Sequence, residues 1–203
     1  MPAAVLQILT EQALARGASA AAVIAADDIV VDDELARRCG EPRCPHYGLS
    51  ASCPPHVGGP PVFRSLQKRC AHALVVRIDL PTGVLLSEQM HEVSRFLYEL
   101  VASLEREALA AGCAEAAGFA GGSCKQAFCS QYPSCRKTSL EGICRHPDSA
   151  RGSMSGYGIN VGALMKSCGW QHRITAGDQR AEREATSWLA GLVMIGGSDC
   201  ANR

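Results

Sequence analysis

The chain has no excess charge of either sign. Its 203 residues carry 20 Lys and Arg against 20 Asp and Glu. That balance excludes a general polyelectrolyte role. Aromatic residues are scarce at 5%, and single-stranded nucleic acids need aromatic stacking platforms. Nucleic acid is therefore not expected as a partner. No apolar run reaches the roughly 18 residues of a membrane helix. The first residues, MPAAVLQILTEQALARG, lack a basic n-region, and Glu11 interrupts their apolar pattern. The expectation is a soluble, cytoplasmic protein with no membrane partner. There is no G-x-G-x-x-G, no phosphate-binding Walker loop and no H-E-x-x-H. A Ser/His/Asp triad has no support either.

What remains is ordinary, with 47% hydrophobic and 20% charged residues. That composition and length suit one domain over residues 1–203. Cysteine is the exception, at 11 residues. In a reducing compartment, clustered thiols read as metal ligands or catalytic groups before disulfides. An odd count also leaves one thiol outside any fully paired framework.

Seven cysteines fall in two loops. The first, CGEPRCPHYGLSASCPP, holds Cys39, Cys44 and Cys53. Its prolines and glycines exclude a helix or core strand, so it wraps rather than packs. The second holds Cys124, Cys129, Cys135 and Cys144, at gaps of x4, x5 and x8. Thiolates favour zinc, copper(I) or iron–sulfur. Zinc knuckles use tight pairs two to four residues apart, followed by a second pair. The looser gaps here favour a cluster held by four thiolates, and Cys53-Pro54 matches the Cys-Pro ending of bacterial ferredoxin motifs.

Charge agrees with that reading. Over residues 1–35, Glu11, Asp27, Asp28, Asp32, Asp33 and Glu34 stand against Arg16, a net −5. Over residues 36–69, Arg37, Arg38, Arg43, Arg64, Lys68 and Arg69 stand against Glu41, a net +5. Between Gly121 and Ser153 the net is +3. Cations near thiols favour the thiolate. The first loop has only three cysteines; His46, His56 and Cys70 are candidates for a fourth ligand, or one position stays open.

The remaining pattern predicts an α+β fold: a small mixed sheet with packed helices, and cysteine-rich metal-binding loops at about 39–61 and 121–158. Residues 3–16 read as a helix, and 63–70 as a short one. Residues 22–26, 29–31, 73–80 and 114–120 read as strands, and Ile174 with the run 187–195 as one or two closing strands. Met90, Val93, Leu97, Leu100, Val101 and Leu104 give the strongest helical period, with Ser87 as N-cap and Gly112 as the stop. Val161 to Cys168 reads as a short helix.

Other side chains have plain readings beside functional ones. Cys113 and Cys168 read as small buried hydrophobes, and Cys200 as an unliganded tail residue. Arg145, Arg151 and Ser153 are placed to donate hydrogen bonds to cluster sulfurs, or the arginines are solvated surface cations. Tyr47 and Tyr157 read as lids over a cluster or as ordinary partly buried aromatics. His91 reads as a satisfied helix histidine.

Cys44, Tyr47, Gly48, Cys53, Pro54 and Pro55 form one motif. Gly121, Gly122, Cys124, Cys129, Cys135, Cys144, Arg145, Pro147, Arg151, Ser153, Met154, Tyr157, Gly158, Ile159 and Val161 form a second. In this order they resemble the metal-binding proteins of the domain of unknown function 2284 family, from about Cys39 to Trp170. The resemblance implies metal binding by these cysteines in a prokaryotic cytoplasm, and no particular reaction. Gly152 stands where the pattern has Pro, Ser155-Gly156 where it has Glu-Ala, and Asn160 where it has Asp.

Three functions follow as expectations. The first is one or two [4Fe–4S] clusters serving electron transfer to a redox partner protein. The second is a cluster-dependent enzyme with an open iron at the first loop. The third is a structural or regulatory zinc protein.

Overall fold

The computed structural model describes residues 3–139, 142–170 and 186–197. Ile174 and Cys200 lie outside them. The elements are α1 (Ala3–Ala15), β1 (Ala20–Ala25), α2 (Asp33–Arg37), α3 (Gly59–Gln67), β2 (Cys70–Pro81), α4 (Thr82–Leu85), α5 (Met90–Ala110), β3 (Glu115–Ala120), α6 (Cys124–Phe128), β4 (Gly152–Ser153), α7 (Val161–Ser167) and β5 (Thr186–Gly196). The fold is α+β, as expected. Its five strands run β1-β2-β5-β3-β4 across one sheet. The pairings are antiparallel except β3 with β4, so the sheet is mixed.

Both faces of the sheet are covered. Along β2, Leu74, Val76 and Ile78 enter the core under α1 and α5, while Ala73 and Val75 enter the core under α3 and α7. This is the period-2 alternation of a strand, and it explains why β2 and β5 read as nearly continuous apolar runs. The long helix α5 buries Leu97, Tyr98, Val101 and Leu104 against one face. Each such side chain contributes about 1.5–3 kcal/mol through burial. Its Val101 approaches the backbone so closely that a Cβ on Gly118 or Gly191 would meet it at 2.7 or 2.5 Å. Glycine at those two strand positions is therefore a packing requirement.

The run 187–195 is the last strand in the chain, as expected, and β5 lies between β2 and β3 in the middle of the sheet. Three expectations are corrected. Residues 29–31 form no strand; only Val31 makes an isolated bridge, to Ile159. There Gln67 Nε2 donates to the carbonyls of Ala26 (2.7 Å) and Ile29 (2.9 Å), which a neighbouring strand would otherwise satisfy. Ser87 is not the N-cap of α5; it closes the preceding turn by accepting from Gln89 N–H at 3.3 Å. Cys113 is buried but disulfide-bonded rather than a free apolar thiol.

The fold brings the two cysteine loops together at one end of β3 and β4. The second loop leaves β3 at Ala120 and returns at β4, where Met154 N–H donates to the Ala120 carbonyl at 3.1 Å. The first loop runs between α2 and α3. It is fastened to the same end by Ser153 N–H donating to the Ser52 carbonyl at 2.9 Å. Nearby, Asp32 N–H donates to the Gly158 carbonyl at 2.7 Å and Asn160 N–H to the Val30 carbonyl at 2.9 Å.

Candidate metal centre

All seven loop cysteines are free thiols, and they line two neighbouring chambers. Cys39, Cys44 and Cys53 line the first, of about 90 Å3, with His46, Tyr47 and Ser153. Cys124, Cys129, Cys135 and Cys144 line the second, a tight space of about 20 Å3, with Lys125, Arg136, Arg145 and His146. The spacing along the chain thus sorts the thiols into a group of three and a group of four. No carboxylate lines either chamber among the described residues. The donor chemistry fits a thiophilic group. Among the described residues, however, no three His, Cys, Asp or Glu side chains are grouped closely enough to hold a lone metal ion.

Of the fourth-ligand candidates, only His46 lines the first chamber. His56 is exposed, with Nε2 3.4 Å from the Gly48 carbonyl. Cys70 is buried in the apolar core under α3 and α7, where burial pushes its thiol up to about 11. Cys168 packs against the same core, and burial pushes it up equally, to about 11.

Between the chambers lies a patch of hydroxyls that the cysteine pattern did not reveal. Ser50, Ser52 and Ser123 are buried. Ser50 Oγ lies 3.0 Å from Ser52 Oγ and 3.3 Å from Ser123 Oγ. Ser52 Oγ lies 3.7 Å from Cys53 Sγ and accepts from Cys124 N–H at 3.3 Å. The wall therefore touches one thiol residue from each group. The signal was present as a serine directly before the cysteine at Ser52-Cys53, Ser123-Cys124 and Ser134-Cys135. Tyr98 of α5, fully buried, braces the wall by donating its hydroxyl to the Gly122 carbonyl at 3.1 Å.

The thiols differ in their surroundings. Burial pushes Cys124 up to about 11, against hydrogen bonds from Ser52 and Ser50. Cys129 is raised by burial and by Cys144 and Cys135, with Arg145 and Lys125 opposing. Cys39 is raised by burial, then by Cys44 and Cys53. Cys135 moves the other way. Burial pushes it up, but N–H groups of Ala51, Thr138 and Lys137 and the Thr138 hydroxyl outweigh that. Gathering thiolates at close quarters costs free energy that a bound cationic centre offsets.

Short helix α6 places Cys124 and Cys129, and α5 holds it from behind. His91 Nδ1 donates to the Gln126 carbonyl at 2.9 Å, and Arg95 Nε to the Ala127 carbonyl at 3.3 Å. His91 is thus a satisfied histidine, as expected. Lys125 Nζ donates to the carbonyls of Cys129 (3.1 Å) and Tyr132 (2.6 Å), closing the loop. Phe128 stacks on His146 with centroids 5.0 Å apart.

The arginines serve the loop backbone. Arg145 lies over the Tyr132 ring at 4.1 Å and donates to the Ser134 carbonyl at 3.1 Å. Arg151 Nε donates to Glu105 at 2.8 Å. Neither is a free surface cation. Tyr47 lines the first chamber. Tyr157 packs edge-on to Phe119 at 5.0 Å and does not line either thiol chamber. Two departures from the family pattern have structural counterparts. Asn160 caps α7 by accepting from Ala163 N–H at 3.0 Å, a role Asp also fills. A Cβ on Gly156 would meet Pro54 Cδ at 2.9 Å, so glycine lets the Cys-Pro-Pro corner pack closely.

Residues 22–195 match the family model described as Predicted metal-binding protein (DUF2284). The chain belongs to that family. No curated protein and no solved structure matches it. Among the described residues, no helix is long and apolar enough to cross a membrane.

Proposed function

We propose that the chain is an iron–sulfur protein that supplies electrons to, or takes them from, a partner enzyme. Cys124, Cys129, Cys135 and Cys144 would hold a [4Fe–4S] cluster. Cys39, Cys44 and Cys53 would hold a second, three-thiol centre. The observation that carries this reading is the sorting of the seven loop thiols into chambers of four and three. Four thiolates around one space are the usual cluster donor set. Thiols too widely placed for a lone ion also suit a polynuclear group, which spreads its ligands. The tight second chamber means that the loop folds around the group rather than receiving it into a ready space.

When bound, such a cluster supplies one-electron chemistry. The chain's own residues then set its surroundings. The serine wall and Tyr98 exclude water between the chambers, and Lys125, Arg136 and Arg145 offset thiolate charge.

The test is iron and acid-labile sulfide content of anaerobically purified protein, with its spectrum before and after dithionite. About four irons and four sulfides per occupied chamber and a reducible chromophore are expected. Colourless protein with stoichiometric zinc would sink the proposal. A second reading, a cluster-dependent enzyme, is favoured by one feature. The first chamber has three thiols, with His46 and hydroxyls in place of a fourth. In that case cyanide would perturb the EPR spectrum of the first centre, whereas a pure carrier would be silent.

A further inference from the structure

One unexplained feature beside the thiols is a cavity of about 590 Å3, within the roughly 300–1,000 Å3 range of small-molecule sites. We propose that it binds a small organic carboxylate with an apolar body. One wall is Cys124, Cys135 and Cys144, three thiols that also line the tight second chamber. Val57 of the first loop, Ile143, Pro147 and Tyr157 supply apolar surface. The site is therefore built from both cysteine loops. It places a ligand beside the second thiol group, not at the three-thiol chamber where an open position was expected.

Charge selects the ligand class. Among the described residues, Lys137 and Arg151 are the charged side chains of the lining, and no carboxylate joins them. Arg151 is committed elsewhere: to Glu105, and through one terminal nitrogen to the carbonyls of Pro147 (3.3 Å) and Ala150 (2.9 Å). Among the described residues, no carboxylate pairs with Lys137. Lys125, Arg136 and Arg145 line the thiol chamber and not this cavity. Arg145 and Lys125 favour the Cys129 thiolate, which leaves Lys137 for the ligand. An exposed lysine at a mostly apolar space with no carboxylate among its described lining residues favours an anion with a hydrophobic remainder.

The proposal deepens the metal-centre reading and rests on it for the ligand's reactive neighbour, though binding itself needs no electron transfer. The experiment measures iron and sulfide first. It then titrates the protein with hexanoate and benzoate, and with hexanamide and benzamide, by saturation-transfer NMR. Both acids should bind, with the amides about tenfold weaker. Lys137→Met should weaken the acids about tenfold without changing iron content, and Val57→Trp, which fills the cavity, should abolish binding of both acids. Lys68→Met serves as a distant control. The proposal is overturned if iron-loaded protein binds neither acid, or binds acids and amides alike, or if Lys137→Met binds the acids as wild type does. Acid binding with normal Lys137 dependence in protein that holds no iron would support the pocket and overturn the cluster reading instead.

Discussion

The Ser52 hydroxyl accepts a hydrogen bond from the Cys124 backbone N–H at 3.3 Å, joining the two cysteine loops through one buried side chain. Ser52→Ala would strand that N–H and remove a partner of Ser50. A cost of about 1–2 kcal/mol in stability is expected for a buried donor left unpaired. Metal content of both loops should fall together. Thermal melts and iron counts on the variant check this. Unchanged loading with only a lowered Tm would show the wall to be structural alone.

The sorting of thiols predicts which cysteines matter. Cys129→Ser should remove the metal of the second loop and leave that of the first largely in place. Cys70→Ser and Cys168→Ser should leave metal content unchanged, because both residues pack against the core under α3 and α7. Iron per chain, measured on all three variants, decides it. Equal loss from Cys70→Ser would move that residue into the ligand set.

Arg151 and Glu105 are 13% and 16% exposed and tie the second loop to α5. Glu105 also accepts from the Gly118 N–H. Glu105→Gln keeps the shape and removes the charge. The expected loss is about 2 kcal/mol, between exposed pairs and fully buried ones. Urea unfolding of the metal-free protein gives the number, and no loss would mark the pair as idle.

Three thiols, Cys70, Cys124 and Cys168, sit at about 11 in the fold against an ordinary 9.0. The fold therefore favours their neutral form. The stability this confers is fully present below pH 9 and is lost as the pH rises through 11. Metal-free protein should accordingly weaken between pH 9 and 11. Cys124→Ser should reduce the slope. A flat denaturation profile over that window would contradict the burial of these thiols.

The sequence displayed the scaffold and the two thiol groups better than what lies between them. The period of Leu97, Leu100, Val101 and Leu104 located α5, because a helix packed on one sheet face shows its stripe directly. Cysteine spacing identified the two thiol groups, because each loop keeps its cysteines close in sequence. The place of β5 was hidden, since an apolar run shows that a strand is buried but not which strands flank it. The serine wall was hidden for a related reason. Ser50 and Ser123 are 73 residues apart, and each reads as a loop hydroxyl until the fold joins them. The large cavity likewise draws on Val57 and Lys137, which only tertiary packing brings to one space.

The middle position of β5 sets the order in which a working site can exist. Strand β2 pairs with β5 from Cys70↔Gly196 to Pro81↔Thr186, and β3 pairs with it from Glu115↔Gly196 to Ala120↔Gly191. Until residues 186–196 have left the ribosome, the two halves of the sheet have no shared strand. The first loop belongs to one half and the second loop to the other. Metal held where the two loops meet would thus be inserted only after residues 186–196 are made, and a nascent chain halted before Thr186 would hold its thiols as two independent, unwalled groups.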